Sequence, residues 1–94
     1  MITVFAKHKV NDYNAWKSAY DKATTIRKDR GVIGASVFRD TNSPNDVIVT
    51  HHFNDLNTAR NFFNSADLKD AMHNGGVVND PEVWFAEDIE QTNN

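Results

Sequence analysis

Cysteine is absent from this 94-residue sequence, and leucine and glycine are scarce, with two leucines and four glycines. The lack of cysteine excludes disulfides, thiolate nucleophiles, iron–sulfur clusters and cysteine-ligated zinc. A chain of this length buries only about two-thirds of its unfolded surface, and it is too short to divide into two cores. We therefore expect a single domain over residues 1–94, which a partner subunit would help to stabilise.

Positive charge is not in excess either. The formal net charge is −3, the isoelectric point is near 5.7, and the lysines and arginines do not cluster. Because nucleic-acid binding relies on a basic surface, we predict no nucleic-acid partner. No apolar run approaches the roughly 18 to 20 residues of a membrane span, and the segment from Met1 to Lys9 lacks the regions of a signal peptide. The sequence thus predicts no membrane association and a cytoplasmic location.

The signatures of nucleotide, zinc-protease and hydrolase sites are missing. The chain contains no GxGxxG, no P-loop, no HExxH and no nucleophile elbow. Its four histidines show no HxH or HxxxH spacing, and the adjacent His51 and His52 point to opposite faces of a strand. A metal site normally needs three or more protein ligands. The sequence therefore predicts no metal and no cofactor.

Hydrophobic periodicity predicts alternating strands and helices. Apolar and polar residues alternate in four segments, which predicts strands over residues 2–10, 32–40, 46–53 and 82–89. Apolar spacings of three and four predict one helix from Tyr13 to about Arg30, a second helix after Asp55 and a short third helix after Ser65. The polar residues 91–94 are expected to fray.

This order of elements predicts the fold. Strand, helix, strand, strand, helix, strand fits two right-handed crossovers in one antiparallel sheet with its helices on a single face. That is the ferredoxin-like βαββαβ arrangement of an α+β protein. Both parities of the strands carry apolar residues, for example Val49 beside Ile48 and Phe85 beside Trp84. Because a solvated sheet face would alternate more cleanly, we expect the uncovered face to pack on a second copy in a homodimer.

Several short segments share residues with one family. They are Lys7-His8-Lys9-Val10, Asp12-Tyr13, Trp16-Lys17, Val37-Phe38-Arg39-Asp40, Pro44-Asn45, His51, Phe53, Leu68-Lys69, Ala71-Met72 and Gly76-Val77. In these segments, which extend over nearly the whole chain, the sequence resembles small proteins of the antibiotic biosynthesis monooxygenase type. The resemblance implies a dimeric α+β barrel, in which two ferredoxin-like sheets pack face to face and each subunit keeps a cavity between sheet and helices.

The resemblance does not name a substrate. The superfamily includes cofactor-free oxygenases of aromatic polyketides, haem-degrading enzymes and proteins that process signal molecules. For the haem-degrading members, the resemblance places Met72 at the position of the iron-ligating histidine and Phe62 at that of a tryptophan. His73 is one residue away, which is about 100° around a helix. The resemblance therefore implies no haem site in this chain.

Histidines are the most informative polar residues, because imidazole exchanges protons nearest to neutral pH. His51 shares strand parity with Val47, Val49 and Phe53, so it is expected to point to an apolar side and is the first candidate for a catalytic base. A buried structural histidine is the alternative, and an error of one residue in register would exchange His51 for His52. His8 shares the apolar parity of its own strand and could reach the same face of the sheet.

Arg39 is the second catalytic candidate, because a guanidinium could hold a carboxylate, phenolate or enolate. The alternative is that it pairs with a nearby acid. Aromatic residues could line a pocket for a flat ring, although helical spacing favours ordinary core for most of them. The predicted substrate-binding residues are His8, Phe38, Phe62 and Trp84.

Two functional hypotheses follow. In the first, the protein is a cofactor-independent monooxygenase or cyclase-like enzyme: the cavity binds a small aromatic or enolisable compound, His51 removes a proton, and Arg39 holds the anion for reaction with oxygen. In the second, the same homodimer is a non-catalytic domain that binds a small molecule or mediates regulation. The second hypothesis needs no activated base, and the sequence shows no dense catalytic cluster against it.

Overall fold

The computed structural model describes residues 1–93 and contains four strands and four helices in that part of the chain. In order along the chain they are β1 (Ile2–Lys9), α1 (Tyr13–Lys22), α2 (Thr24–Asp29), β2 (Gly34–Arg39), β3 (Asp46–Phe53), α3 (Leu56–Phe63), α4 (Ala66–Asn74) and β4 (Glu82–Glu87). None of the helices within residues 1–93 is both long and apolar enough to cross a lipid bilayer.

The strands form one antiparallel sheet in the order β2-β3-β1-β4. The central pair joins β1 to β3, with Val4 opposite His51 and His8 opposite Val47. The hairpin between β2 and β3 closes through Asp40, whose carboxylate accepts hydrogen bonds from the amides of Asn42 and Ser43. This order, with helices on one face, confirms the predicted ferredoxin-like α+β fold.

Side-chain caps explain where three of the helices begin. Asp12, Asp55 and Ser65 stand immediately before α1, α3 and α4, and each side chain accepts a hydrogen bond from the amide three residues later. Such caps satisfy one of the four unpaired amides of a helix N-terminus. Gly31 and Gly76 follow the ends of α2 and α4 with φ angles of 90° and 75°, a conformation that favours glycine.

The long first helix predicted to run from Tyr13 to about Arg30 is instead two helices that meet at Ala23. Side chains take the carbonyl groups that a continuous helix would need. The Thr24 hydroxyl donates to the carbonyl of Asp21 at 2.6 Å, and the Arg27 guanidinium donates to the carbonyl of Tyr20 at 2.6 Å. Hydroxyl and guanidinium donors thus compete with the backbone amides and turn the chain.

Three strands are shorter than predicted. β1 ends at Lys9 instead of residue 10, with Val10 in an isolated bridge to Val77, and β2 ends at Arg39 instead of residue 40. β2 begins at Gly34 instead of residue 32, because the amide of Val32 bonds to the carbonyl of Arg27 at the end of α2. β4 ends at Glu87 instead of residue 89, and the next amide, that of Asp88, donates to the carbonyl of Met1, just before β1. The prediction of a frayed end over residues 91–94 includes Asn94, which lies outside the described residues.

Helices cover one face of the sheet and leave the other face uncovered. The helix-covered face carries two buried clusters: Ala6, Val10, Trp16, Val47 and Val49, and then Val4, Phe53, Ala59 and Phe62. The opposite side, called the open face here, presents the side chains of Thr3, Phe5, Lys7, Lys9, Ser36, Phe38, Ile48, Thr50, His52, Glu82, Trp84 and Ala86. No helix within residues 1–93 packs on the open face, and its large apolar side chains are partly exposed.

Candidate functional site

An apolar cavity of about 310 Å³ lies between the sheet and the helices. Its wall is formed by strands β1, β3 and β4, by helices α1, α3 and α4 with the residue after α3, and by the segment before β4. The lining residues are Ala6, His8, Trp16, Tyr20, Val49, His51, Phe63, Asn64, Leu68, Met72, Pro81, Val83 and Phe85. A volume near the lower end of the roughly 300 to 1,000 Å³ typical of ligand pockets suits a compound of one or two rings.

His51 lies in this wall and is 4% exposed. Its ring stands between Tyr20 on α1 and the two phenylalanines of α3, with centroid separations of 6.3 Å to Tyr20, 5.6 Å to Phe62 and 5.9 Å to Phe63. The hydroxyl of Tyr20 lies 3.4 Å from His51 Nε2. The other ring nitrogen, Nδ1, is buried and has no hydrogen-bond partner among residues 1–93. The only polar side-chain contact of His51 in that part of the chain is therefore the one to Tyr20.

Burial keeps His51 neutral. Loss of solvent, assisted by the positive charge of Arg27 and by His52 and His8, lowers the pKa of His51 from 6.5 to about 4. In an apolar surrounding the imidazolium form is the costly one, so the pKa of a buried histidine falls. His51 is therefore unprotonated at neutral pH, and the low pKa makes its imidazole a weak proton acceptor.

His8 is the second imidazole of the cavity wall. It packs against Trp16, with ring centroids 5.6 Å apart, and both of its ring nitrogens are buried without a partner among the described residues. Burial lowers its pKa as well. In the register His51 faces Val4, which is four residues from His8, so the two backbones are roughly 13 Å apart along the strands. The two histidines thus serve separate parts of the cavity.

His8 and His51 are too far apart along the strands to act as neighbouring ligands of one metal ion. Within residues 1–93, no group of three or more histidine, aspartate or glutamate side chains is placed to hold a metal ion. Haem does not fit the residues present either, because Met72 lines the cavity where a histidine would be needed and His73 is exposed.

Tyr20 lines the cavity beside His51 but is not among the site residues predicted from the sequence. Its helical spacing from Trp16 made ordinary core the simpler interpretation, and the two rings do stack, with centroids 4.9 Å apart. Burial raises the pKa of the Tyr20 hydroxyl, against an opposing effect of Arg27. A signal in the sequence could have identified Tyr20. It lies one helical turn after Trp16, on a helix predicted to cover the strand that carries His51.

The remaining predicted residues are not in the cavity wall. Phe38 and Trp84 lie on the open face, on the other side of the sheet, and are 51% and 50% exposed. Phe62 is fully buried behind His51 and supports its ring. The Arg39 guanidinium stacks over the ring of Tyr13, 4.3 Å from its centroid, and forms no ion pair with a carboxylate of the described residues.

The structure was compared with known proteins. No protein-family model matches the sequence, and no curated protein matches it. Among solved structures, a protein from Bordetella bronchiseptica that is provisionally named an antibiotic biosynthesis monooxygenase is similar at a TM-score of 0.81 and 16% identity, over 95% of this chain and 97% of that one. SnoaB, a cofactor-independent oxygenase from Streptomyces nogalater, is similar at 0.78 and 10% identity, over 96% of this chain and 94% of that one.

A third similar structure is Rv0793 from Mycobacterium tuberculosis, at a TM-score of 0.71 and 9% identity, over 98% of each chain. At these identities the similarity concerns the fold, and it extends over nearly the whole chain. It agrees with the fold that the sequence resemblance implies. The chain therefore has the ferredoxin-like α+β fold of the antibiotic biosynthesis monooxygenases.

Proposed function

We propose that this protein is a cofactor-independent monooxygenase or cyclase-like enzyme for a small aromatic or enolisable compound, working as one domain in a homodimer. The observation that carries the proposal is the buried His51, with Tyr20 beside it, in the wall of a mostly apolar cavity of about 310 Å³. Apolar walls favour a flat ring, and the pair of His51 and Tyr20 orients its hydroxyl or keto group. SnoaB, which has the same fold, is a cofactor-independent oxygenase.

The proposed reaction begins with a proton transfer. A phenol or enol gives its proton to the imidazole of His51, and the ring compound is left as an electron-rich anion. The anion reacts with dioxygen to form a carbon–oxygen bond, giving a hydroperoxide once the proton returns. Loss of water then leaves a carbonyl group. One oxygen atom of O₂ becomes the carbonyl oxygen, and the other leaves as water with the two hydrogens that the ring compound has lost.

The low-dielectric cavity favours this proton transfer once an anion can form beside His51. The low pKa of His51 makes it a weak base when the cavity is empty. An organic anion formed beside the imidazolium would stabilise it, because opposite charges attract strongly where water is excluded. Arg39 does not hold the anion, because its guanidinium stacks on Tyr13 outside the cavity wall. His8, at the other part of the cavity, is the hydrogen-bond partner for a second polar group of the compound.

Oxygen uptake tests the proposal. Phenols, naphthols, bicyclic quinols and anthrone form a series of increasing size, and we expect turnover to be fastest with two rings. His51→Gln is expected to lower turnover by at least about a hundredfold, the effect of losing a general base. His52→Gln is the matched control, because His52 is the next residue and lies on the open face. Turnover that survives in His51→Gln would contradict the assigned role.

The pH profile gives a second measurement. kcat/KM reports the groups of the free enzyme, so its acid limb should fall near pH 4 with His51, and the profile should be flat through pH 7. An acid limb near pH 6.5 would indicate an exposed histidine as the base instead.

A non-catalytic binding domain is the second candidate function. The observation in its favour is the same low pKa of His51, since a cavity that only binds a neutral ring has no need of a base. Trp16 lines the cavity, so its fluorescence reports occupancy. Saturable quenching by naphthols without any oxygen uptake would favour this candidate over the enzyme.

The homodimer of the proposal forms through the open face. Phe5, Phe38 and Trp84 are apolar and between 39% and 51% exposed there. In the register Lys7 is opposite Glu82 and Lys9 is opposite Asp46, so the same face carries both signs of charge. A two-fold-related copy can place apolar side chains against each other and acids against bases. Sedimentation equilibrium at micromolar concentration tests this: a dimer mass supports the interface, and a monomer mass contradicts it.

A further inference from the structure

We infer that the Tyr20 hydroxyl, and not the imidazole of His51, is the group that meets the proton of the bound compound, and that Tyr20 passes its own proton to His51 Nε2. The inference rests on the proposed function and adds a second catalytic residue to the same site. It follows from the direction of one hydrogen bond inside the cavity wall.

Contacts from several directions hold Tyr20 in place. The Trp16 ring stacks on it at 4.9 Å, and the Arg27 guanidinium carbon lies 3.7 Å from its ring centroid. The same guanidinium donates hydrogen bonds to the Tyr20 carbonyl at 2.6 Å and to the Thr24 hydroxyl at 3.2 Å. The break between α1 and α2 brings Arg27 to this position. The phenol oxygen is thereby held 3.4 Å from His51 Nε2 while Tyr20 lines the cavity.

The direction of this hydrogen bond follows from the two groups. A neutral imidazole carries one proton and one bare nitrogen, and the bare nitrogen is a far better acceptor than a phenol oxygen, whose lone pair is shared with the ring. A guanidinium over the ring attracts its electrons, which strengthens the phenol as a donor. The Tyr20 hydroxyl therefore donates to Nε2, and His51 carries its single proton on Nδ1. Nδ1 is the nitrogen without a partner in residues 1–93.

With Nε2 occupied and Nδ1 protonated, His51 has no free lone pair for a ligand. The Tyr20 oxygen still has one. A hydroxyl group of the bound compound donates to that oxygen, and as its proton moves to Tyr20, the proton of Tyr20 moves to His51 Nε2. Tyr20 ends as it began, neutral and protonated. The compound has become an anion and His51 an imidazolium, so protons and charge balance without any change of oxidation state.

Nitrogen-15 NMR of histidine side chains in the full-length protein tests the hydrogen bond directly. We expect His51 of the wild type to hold its proton on Nδ1, and Tyr20→Phe to shift it toward Nε2, the tautomer that a free neutral histidine side chain prefers. Tyr13→Phe is the matched control, because Tyr13 also packs on Trp16 but its hydroxyl does not contact His51. A proton on Nε2 in the wild type, or no change in Tyr20→Phe, would overturn the inference.

Binding of 1-naphthol and of naphthalene completes the test. The loss of one hydrogen bond is expected to weaken naphthol binding by about tenfold in Tyr20→Phe and to leave naphthalene unchanged. Equal naphthol affinity in wild type and Tyr20→Phe would contradict the role of the Tyr20 oxygen. If neither compound binds the wild type, the proposed function fails, whereas the position of the His51 proton still decides whether Tyr20 donates to His51.

Discussion

His51 and His52 are neighbours in the chain and occupy opposite environments. His51 lies on the helix-covered face among aromatic rings and has one long polar contact, 3.4 Å to Tyr20. His52 lies on the open face and bonds through Nδ1 to the Thr3 hydroxyl at 2.9 Å. Successive side chains of a strand point to opposite faces of the sheet. Two adjacent histidines can therefore lie in an aromatic environment and in a polar environment.

The hydrogen bonds of His52 form a short chain. The Thr3 hydroxyl donates its only hydrogen to a carboxylate oxygen of Asp88, so it must accept from His52, whose proton is therefore on Nδ1. This arrangement differs from a catalytic triad, in which the histidine lies between the hydroxyl and the acid. His52 is thus held by polar partners, whereas His51 is held mainly by packing.

The aromatic residues of the two faces differ in the same manner. Phe53 and Phe62 on the helix-covered face are fully buried, while Phe38 and Trp84 on the open face are about half exposed, at 51% and 50%. The first pair stabilises the fold of one chain. The second pair has large apolar surface left to bury, which is the basis of the proposed homodimer.

The largest effect is expected from the buried aromatic residues. Phe53→Ala should lower the free energy of unfolding by about 3 to 5 kcal/mol, because it removes a fully buried ring and leaves a cavity. Urea denaturation measures the loss, and Phe53→Leu, which fills part of the space, should lose much less. A loss in Phe53→Ala no larger than that in Phe53→Leu would contradict the description of this core.

The next effect concerns the pH dependence of stability and depends on the buried His51. The pKa of His51 is about 4 in the folded protein and near 6.5 when unfolded, so the unfolded chain binds the additional proton between these values. The stability due to neutral His51 is complete above pH 6.5 and is lost as the pH falls toward 4, by about 3 kcal/mol. Denaturation at several pH values should show a smaller loss over this window in His51→Gln than in the wild type. Equal losses over this window in the wild type and in His51→Gln would contradict the assignment.

A third prediction tests the open face. Phe38→Asp places a charge in the proposed interface and should raise the dimer dissociation constant by about a hundredfold, which is about 2.7 kcal/mol. Sedimentation velocity over a dilution series measures it. Ser18→Asp is the control, because it adds the same charge at an exposed position of α1. If both variants dissociate equally, the effect is one of net charge and the open face is not the interface.

The smallest effect is expected in the hydrogen-bond chain of His52. Thr3→Val keeps the shape of the side chain but removes both hydrogen bonds, and it should cost about 1 kcal/mol of unfolding free energy. Thr50→Val, on the same face but outside the chain, serves for comparison. Nitrogen-15 NMR should also show that His52 no longer prefers a proton on Nδ1. An unchanged His52 spectrum in Thr3→Val would contradict the chain.

Local signals in the sequence are sufficient for the fold. Alternation predicted the strand Asp46–Phe53 at its observed bounds. Apolar spacing predicted a helix from Tyr13, and Asp55 and Ser65 marked the starts of the next two helices. Alternation and capping depend on residues only two to four positions apart, so they can be recognised in the sequence alone. The break at Ala23 was missed because the Arg27 side chain reaches back seven residues to the carbonyl of Tyr20.

The sequence by itself determined the order of elements, the antiparallel sheet and the two-sided distribution of apolar residues, since each depends on the period of the pattern. Only the tertiary structure decided which aromatic residues reach the cavity. Trp84 and Phe85 are both apolar and adjacent, yet Phe85 lines the cavity and Trp84 lies on the open face. It also decided that Tyr20 meets His51, because that contact joins a helix to a strand 31 residues later. Such contacts are set by how helices cross a sheet, which periodicity does not encode.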